Sequence, residues 1–293
     1  MEIVSPSNQL VRQVGALQRR KARASTGLTV IEGFQILRMA VLGGRDPRHV
    51  LYFPPLMEQE DWSVLSETRS LGARCIEISS QVLKKLSLRE GPLACIATVP
   101  IVRRRIDELT VSSSGLLLVA EQLEKPGNLG ALVRTASAAG VEAVIVADAR
   151  TDVYSPACVH ASLGAVFVAA VAEATSAESV SWLSATGVSI VPATPAGTRL
   201  YDEVDMTGPV AIVVGNERQG VDPMWLAAGH GARIPMEGPM NSLNATMAGG
   251  IVLFEAVRQR RAASREQARS DSSSRTTNVW IPVRADREIA RGL

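Results

Sequence analysis

Two apolar patterns alternate along the first hundred residues. Short apolar runs, which are typical of strands, occur at LTVIEG (28–33), RHVLYF (48–53), RCIEIS (74–79) and LACIATV (93–99). Elsewhere in this part, apolar residues recur at three- and four-residue intervals, which is the spacing of one helix face. This spacing predicts helices over residues 1–23 and at FQILRMAVLGG (34–44), DWSVLSETRSLG (61–72) and SQVLKKLS (80–87). Alternating strands and helices predict a small α/β domain.

The second half of the chain carries apolar runs in which polar residues do not alternate. They lie at LLLVA (116–120), EAVIVA (142–147), AVFVAAV (165–171), GVSIVPA (187–193) and VAIVVG (210–215). Such continuous runs are typical of parallel strands that are buried on both faces of a sheet. A long helix is predicted over residues 242–262, because apolar residues recur along one side of it.

These patterns divide the chain into four parts. Residues 1–105 form the first α/β domain, and residues 116–262 form the second, which contains the parallel sheet. The polar stretch between them is interpreted as a connection, with the linker at 106–115. The tail at 263–293 is polar and is therefore predicted to be flexible, although its VWIPV segment could dock elsewhere on the protein.

Positive charge is concentrated in a few stretches, although the formal net charge is only +2. The first stretch contains Arg12, Arg19, Arg20, Lys21 and Arg23 with no acidic residue among them. Such clusters suit phosphate groups, and binding through them would weaken as salt concentration rises. For any single cluster, a solvated surface is the simpler interpretation.

Composition and residue spacing argue against an aromatic base-stacking surface, a metal site and a membrane or secreted protein. Aromatic residues make up only 4% of the chain, which argues against base stacking on aromatic platforms as the main mode of binding. The three cysteines and three histidines lack the spacing of metal ligands, so no metal is expected. No signal-peptide pattern or membrane-spanning run is present, and a cytoplasmic protein with reduced thiols is expected.

Two glycine-containing loops follow predicted strands of the second domain. EKPGNLGALVRTASAAG (124–140) offers Asn128 as a helix N-cap and places Arg134 almost two turns into the helix. VVGNERQGV (213–221) places Asn216 and Glu217 at the end of a buried strand, where parallel sheets usually bind ligands. A surface arginine and an ordinary glycine-bounded turn explain these loops equally well when each is taken alone.

A third loop precedes the long helix. In RIPMEGPMNSLNATMAGG (233–250), Asn241 or Ser242 is expected to cap the helix and Asn244 to lie in its first turn. These side chains could bind a ligand or only cap the helix. No G-x-G-x-x-G or Walker pattern is present, so a different α/β nucleotide-binding enzyme is disfavoured.

Together and in this order, the three loops resemble the signature motifs of the SpoU/TrmH family of RNA ribose 2′-O-methyltransferases, in the SPOUT superfamily. The resemblance covers residues 116–262, and the N-terminal part is similar to the substrate-binding domain of many members, whose fold is akin to ribosomal protein L30e. The resemblance implies a deep trefoil knot in the second domain, S-adenosylmethionine as the methyl donor, and a homodimer.

The resemblance also implies functional residues. Those expected around S-adenosylmethionine are Thr194, Gly215, Asn216, Gly220, Ile234, Met236, Ser242 and Leu243. Those expected to act in catalysis are Arg134, Asn128, Glu217, Ser242 and Asn244. Asn216 stands where the family often has serine, and Ala245-Thr246 replaces a common Val-Ser pair, departures that are expected to leave catalysis intact.

The domain arrangement favours ribosomal RNA of the 23S type as the substrate, because short tRNA-modifying members tend to lack the first domain. RNA contacts are assigned to Arg19, Arg20, Lys21, Arg23 and Arg134. An arginine-rich composition fits an actinobacterial source, where relatives confer self-resistance to ribosome-targeting antibiotics. A tRNA methyltransferase and a non-catalytic RNA-binding or ribosome-assembly factor are the alternatives, although the presence of Arg134 and Asn244 argues against the latter.

Overall fold

The computed structural model describes residues 2–276, with side chains described through residue 269. Residues 277–293, which include the VWIPV segment, lie outside this range. The first part of the chain contains β1 (Glu2–Ile3), α1 (Gln9–Ala16), α2 (Arg20–Thr26), β2 (Leu28–Glu32), α3 (Phe34–Leu42), β3 (His49–Tyr52), α4 (Gln59–Ser70), β4 (Arg74–Ile78), α5 (Ser80–Leu86) and β5 (Cys95–Pro100). Its strands form one sheet in the order β1-β4-β3-β5-β2, in which β5 runs antiparallel to both neighbours. The predicted alternation of strands and helices in this part is confirmed.

The second part is a wholly parallel sheet covered by helices. It contains β6 (Leu116–Glu121), α6 (Pro126–Ala138), β7 (Ala143–Ala147), α7 (Pro156–Ala161), α8 (Ala165–Val168), β8 (Val171–Ala174), α9 (Ser176–Ala185), β9 (Ser189–Pro192), β10 (Arg199–Leu200), β11 (Val210–Val214), α10 (Pro223–Ala228), β12 (Ala232–Arg233) and α11 (Ala245–Thr276). The main sheet has the order β8-β7-β6-β11-β9. Every residue of β6, β7 and β11 is buried, which confirms the interpretation of the apolar runs as parallel strands.

Three predicted elements are wrong in type or extent. The helix predicted over residues 1–23 is two helices, because the chain turns at residues 17–19 between α1 and α2. The strand predicted at 165–171 is helix α8 followed by β8, since a short apolar run fits a buried helix as well as a strand. The long helix begins at Ala245 and continues to Thr276, so both predicted ends were misplaced.

The two domains share a continuous hydrophobic core. Buried residues of α3, including Ile36 and Leu37, belong to the same cluster as Phe167 of α8 and Val159 of α7. The backbone at Gly43 approaches Phe167 so closely that a Cβ atom there would lie 2.2 Å from the Phe167 carbonyl oxygen. Glycine is therefore required at this point of contact between the domains.

A buried ion pair lies in the same interface. The Arg23 guanidinium donates from Nε (3.0 Å) and Nη2 (2.7 Å) to Oδ2 of Asp152, and each side chain is only 3% exposed. Its Nη1 donates to the carbonyl oxygens of Leu17 and Gln18. The assignment of Arg23 to RNA binding is therefore wrong, because its donors are used inside the protein. Arg19, Arg20 and Lys21 are exposed and keep that assignment as a prediction.

Both carboxylate oxygens of Asp152 are hydrogen-bonded. Oδ1 accepts from the Tyr154 backbone N–H at 3.0 Å and from Arg103 at 3.3 Å. Burial on its own raises the pKa of Asp152, but Arg23 and the Tyr154 N–H stabilise the carboxylate and hold that pKa below its ordinary value. Arg103, which follows β5, also pairs with Glu173. The segment after β5 is thus attached to the second domain.

Replacing Asp152 by asparagine should lower the free energy of unfolding at pH 7 by about 3–5 kcal/mol, because Arg23 is left buried without its counter-charge. The contribution of Asp152 is complete above the ordinary aspartate pKa of about 3.9 and is lost as pH falls through the lowered pKa of the folded state. Urea titration of both proteins at pH 7 and pH 3 measures this difference. Equal stability of the two proteins at pH 7 would contradict a stabilising role for the ion pair.

Candidate active site

A pocket of about 940 Å³ opens at the carboxyl ends of β9 and β11. Its walls come from residues 193–196, residues 214–221 and much of the segment 232–248. Ligands in parallel α/β sheets usually bind at this edge, where strand-end loops converge. All residues that the sequence assigned to the cofactor line this one pocket: Thr194, Gly215, Asn216, Gly220, Ile234, Met236, Ser242 and Leu243.

The loop after β11 is closed by a tight backbone contact. A Cβ atom on Gly215 would lie 2.3 Å from the Gly220 carbonyl oxygen, so only glycine fits there. Gly220 has a φ of +75°, in the left-handed region that favours glycine. Its N–H donates to the Asn216 carbonyl oxygen at 2.9 Å. These two glycines therefore shape the pocket through the backbone.

Asn216 organises this loop through its side chain. The side-chain oxygen accepts from the backbone N–H groups of Arg218 (2.8 Å) and Gln219 (3.1 Å), and the amide nitrogen donates to the Gln122 carbonyl oxygen (3.0 Å). The Asn216 side chain is thus engaged inside the protein, although the residue lines the pocket. Its contribution to a ligand site is to hold the loop in place.

Glu217 joins the loop after β11 to the start of α6. Its Oε1 accepts from Asn128 Nδ2 at 2.7 Å. Burial acts to raise the pKa of Glu217, but the bonds from Asn128 and from backbone N–H groups outweigh it and lower that pKa, so the carboxylate is ionised. The prediction of Asn128 as an N-cap is wrong: α6 starts earlier, with Pro126 in its first turn, which leaves the Asn128 amide free to reach Glu217.

Asn244 caps the last helix. Its side-chain oxygen accepts from the Thr246 N–H at 2.9 Å, and its carbonyl oxygen accepts from the Ala248 N–H. The cap predicted at Asn241 or Ser242 is therefore wrong by two or three positions. Asn241 and Ser242 remain exposed on the pocket wall. Thr246 donates to the Asn128 carbonyl oxygen at 3.2 Å, which attaches α11 to α6.

Comparisons with known proteins identify the family of this chain. Residues 115–254 match the SpoU rRNA Methylase family, and residues 8–97 match the MRM3-like substrate binding domain. A 23S rRNA (uridine(2479)-2′-O)-methyltransferase of Streptomyces viridochromogenes is 30% identical over 83% of this chain and 87% of that protein. The chain belongs to the SpoU rRNA methylase family. This SpoU family member is therefore an enzyme, an RNA methyltransferase whose methyl donor is S-adenosylmethionine.

Two further relatives cover nearly the same length. The 23S rRNA (guanosine(2553)-2′-O)-methyltransferase RlmP of Bacillus subtilis is 25% identical over 86% of this chain and 98% of that protein. The AdoMet-bound rRNA methyltransferase of Sinorhizobium meliloti superposes with a TM-score of 0.80 at 30% identity, covering 88% of this chain and 97% of that one. The predictions of family, enzyme class and cofactor are confirmed, and the predicted α/β fold with a parallel sheet agrees with these structures.

Arg134 lies apart from the pocket. It is exposed on α6, is absent from the pocket wall, and has no side-chain hydrogen bond or ion pair within residues 2–276. Of the residues assigned to catalysis, Glu217, Ser242 and Asn244 line the pocket, and Asn128 contacts it through Glu217. The residues predicted to act in catalysis therefore lie at or beside this pocket, except for Arg134.

Sequence reasoning missed residues at the end of β6. Glu121 is buried there and accepts from the Asp222 backbone N–H at 3.0 Å, and burial chiefly raises its pKa. Gln122 has a φ of +49° and supplies the carbonyl oxygen that holds Asn216. Lys125 lies on the pocket wall. The position of Glu121 directly after the apolar run at 116–120 could have identified it as a candidate for this site.

Replacing Gly215 by alanine should weaken S-adenosylmethionine binding at least tenfold, because the new methyl group forces the loop at residues 215–220 apart. Isothermal titration calorimetry measures the affinity. Gly208→Ala is the matched control, since Gly208 has open space around its Cβ position and lies outside the pocket. Equal affinity of the two variants would refute the assignment of this loop to the cofactor.

Proposed function

We propose that this protein transfers a methyl group from S-adenosylmethionine to a ribose 2′-hydroxyl of 23S-type ribosomal RNA in the cytoplasm. The observation that carries the proposal is the convergence of all predicted cofactor residues on one pocket, with Glu217 and Asn244 in its wall. The matched substrate-binding domain and two relatives named as 23S rRNA 2′-O-methyltransferases support the choice of RNA. These relatives differ in target base, so the nucleotide is left open.

The residues present fit S-adenosylmethionine. Ile234, Met236 and Leu243 provide apolar surface suited to the adenine ring, and the backbone of the loop at residues 215–220 provides polar groups beside it. When bound, the cofactor supplies an activated methyl group on a sulfonium sulfur. The methyl group would pass to the ribose 2′-oxygen, with S-adenosylhomocysteine as the leaving group and the hydroxyl proton lost to solvent.

Positioning accounts for most of the catalysis that such a reaction needs. The Asn128–Glu217 hydrogen bond holds the start of α6 against the cofactor loop. Arg134 is exposed and unpaired within the described residues, so it is available to the RNA. Because arginine side chains are cationic hydrogen-bond donors, its role is to bind the target phosphate and stabilise negative charge that develops on the 2′-oxygen.

The active form is proposed to be a homodimer. Met247 (61% exposed) and Phe254 (49% exposed) lie two turns apart on one side of α11, and the pocket residues Met240 and Leu243, shortly before that helix in the sequence, are also exposed. Exposed apolar patches of this kind mark interaction surfaces. The trefoil knot and the L30e-like fold of the first domain stay predictions, as do the domain boundaries and a role in antibiotic self-resistance.

Replacing Arg134 by alanine should lower kcat at least a hundredfold while leaving S-adenosylmethionine affinity unchanged, because Arg134 lies outside the cofactor pocket. Tritiated methyl transfer to 23S rRNA transcripts and to tRNA, measured in parallel, gives both the rate and the substrate class. Arg69→Ala, at an exposed arginine of α4, is the control. Full turnover by Arg134→Ala would contradict a catalytic role for Arg134. Label in tRNA alone would contradict the proposal that ribosomal RNA is the substrate.

Replacing Phe254 by aspartate should convert the dimer to a monomer, because the interface would have to bury a charge without a partner. Light scattering coupled to size-exclusion chromatography measures the mass. Leu42→Asp provides the comparison, since Leu42 is 74% exposed on α3 in the first domain. A Phe254→Asp protein that remains dimeric would exclude this side of α11 as the interface.

A further inference from the structure

A second cavity, of about 500 Å³, lies between the two domains. Its walls are largely aliphatic. Apolar lining comes from Ile31, Ile36, Leu88, Pro126, Pro156, Ala157 and Val159, and Ser155 and the buried Glu32 also belong to the lining. A cavity of this size falls within the ~300–1,000 Å³ range of small-ligand pockets. It is separate from the cofactor pocket and plays no part in the methyl transfer described above.

Polar groups surround the mouth of this interdomain cleft. They include the side chains of Gln18, Arg89 and His160. Arg89 and His160 are exposed, and neither side chain has a hydrogen bond or ion pair within the described part of the chain. An apolar slot with planar, hydrogen-bonding groups at its edge suits a flat heterocycle that carries polar atoms on its rim.

The loop that carries Leu88 and Arg89 is built onto a buried carboxylate. Glu32, which is 3% exposed, accepts from Ser87 Oγ (2.7 Å), the Leu88 N–H (2.9 Å) and the Leu93 N–H (3.1 Å). A buried carboxylate with three hydrogen bonds fixes the loop in one conformation. One wall of the cleft is therefore preformed.

The cleft and the cofactor pocket lie on either side of the first turn of α6. Pro126 lines the cleft, and its neighbour Lys125 lines the cofactor pocket. At the other side of the cleft, Gln18 immediately precedes the exposed basic residues Arg19, Arg20 and Lys21. A strand of RNA that enters the cofactor pocket and passes over α6 would meet these exposed basic residues beyond the cleft.

We propose that the interdomain cleft binds an unstacked base of a nucleotide that flanks the methylated ribose. This proposal rests on the function proposed above. Sequence-specific proteins recognise RNA mainly at loops whose bases are splayed out and contacted along their edges, with histidine rings and guanidinium planes among the stacking partners. His160 and Arg89 are placed for such contacts, and the aliphatic walls exclude water from the base.

The test fills the cleft without touching the cofactor pocket. Ala157 lines the cleft and is exposed on α7, so Ala157→Phe places a ring in the space assigned to the base. Ala177→Phe, at an exposed alanine of α9, is the matched control. Filter binding gives the dissociation constant for 23S rRNA transcripts, calorimetry gives that for S-adenosylmethionine, and thermal unfolding checks the fold.

Ala157→Phe should weaken RNA binding about 5- to 150-fold, the effect of losing one stacked base, with cofactor affinity and Tm unchanged. The double variant Arg89→Ala/His160→Ala should weaken RNA binding in the same direction, and it removes only exposed side chains. Ultraviolet cross-linking of wild type to the transcripts, followed by mass spectrometry, should identify peptides that contain these two residues.

The outcomes separate this proposal from the proposed function. If Ala157→Phe and the double variant bind RNA as tightly as the Ala177→Phe control, the cleft is not a base site. If wild type binds 23S rRNA without methylating it or tRNA, the proposed function fails, and the ratio of dissociation constants still decides the role of the cleft. A wild type that binds no RNA overturns both.

Discussion

The buried ion pair between Arg23 and Asp152 is the constraint on which the arrangement of this molecule depends. It links α2 of the first domain to the segment before α7 in the second, across 129 positions of sequence. Two charges that are withdrawn from water are tolerated only when hydrogen bonds satisfy both groups, and that condition fixes their geometry narrowly. The pair therefore orients the domains as well as joining them, and the cleft between them has a defined shape.

Within the second domain, a smaller set of contacts plays the corresponding role. The Asn216 side chain holds its own loop and donates a hydrogen bond to the Gln122 carbonyl oxygen. Glu217 of the same loop accepts a hydrogen bond from Asn128 at the start of α6. Both contacts bring together loops that follow different strands. Methyl transfer needs alignment of the reacting atoms more than it needs an acid or a base. Displacing these loops would therefore lower the rate directly.

The sequence was sufficient to predict the parallel sheet and to select residues that line one pocket, and it was insufficient where contacts between distant residues decide the structure. Strands β6, β7 and β11 were predictable because burial on both faces leaves continuous apolar runs. The run at 165–171 was not predictable in this way, since Phe167 within it packs against the first domain from a short helix. Arg23 was misassigned because its partner Asp152 is distant in sequence. The residues around Arg23 do not distinguish a buried arginine from its exposed neighbours.

The burial of Arg23 also affects the position of the other basic residues in its segment. One arginine of the cluster anchors α2 to the catalytic domain, and its exposed neighbours Arg19, Arg20 and Lys21 are thereby held at a fixed position relative to the cofactor pocket. Phosphate contacts carry little sequence information, but contacts fixed in space measure the path of the RNA backbone. If these residues bind RNA as proposed, an RNA whose fold does not follow that path would lose their contacts when its ribose enters the pocket. Under the proposed function, substrate selection would then follow from the rigidity of the domain interface as much as from any single contact with a base.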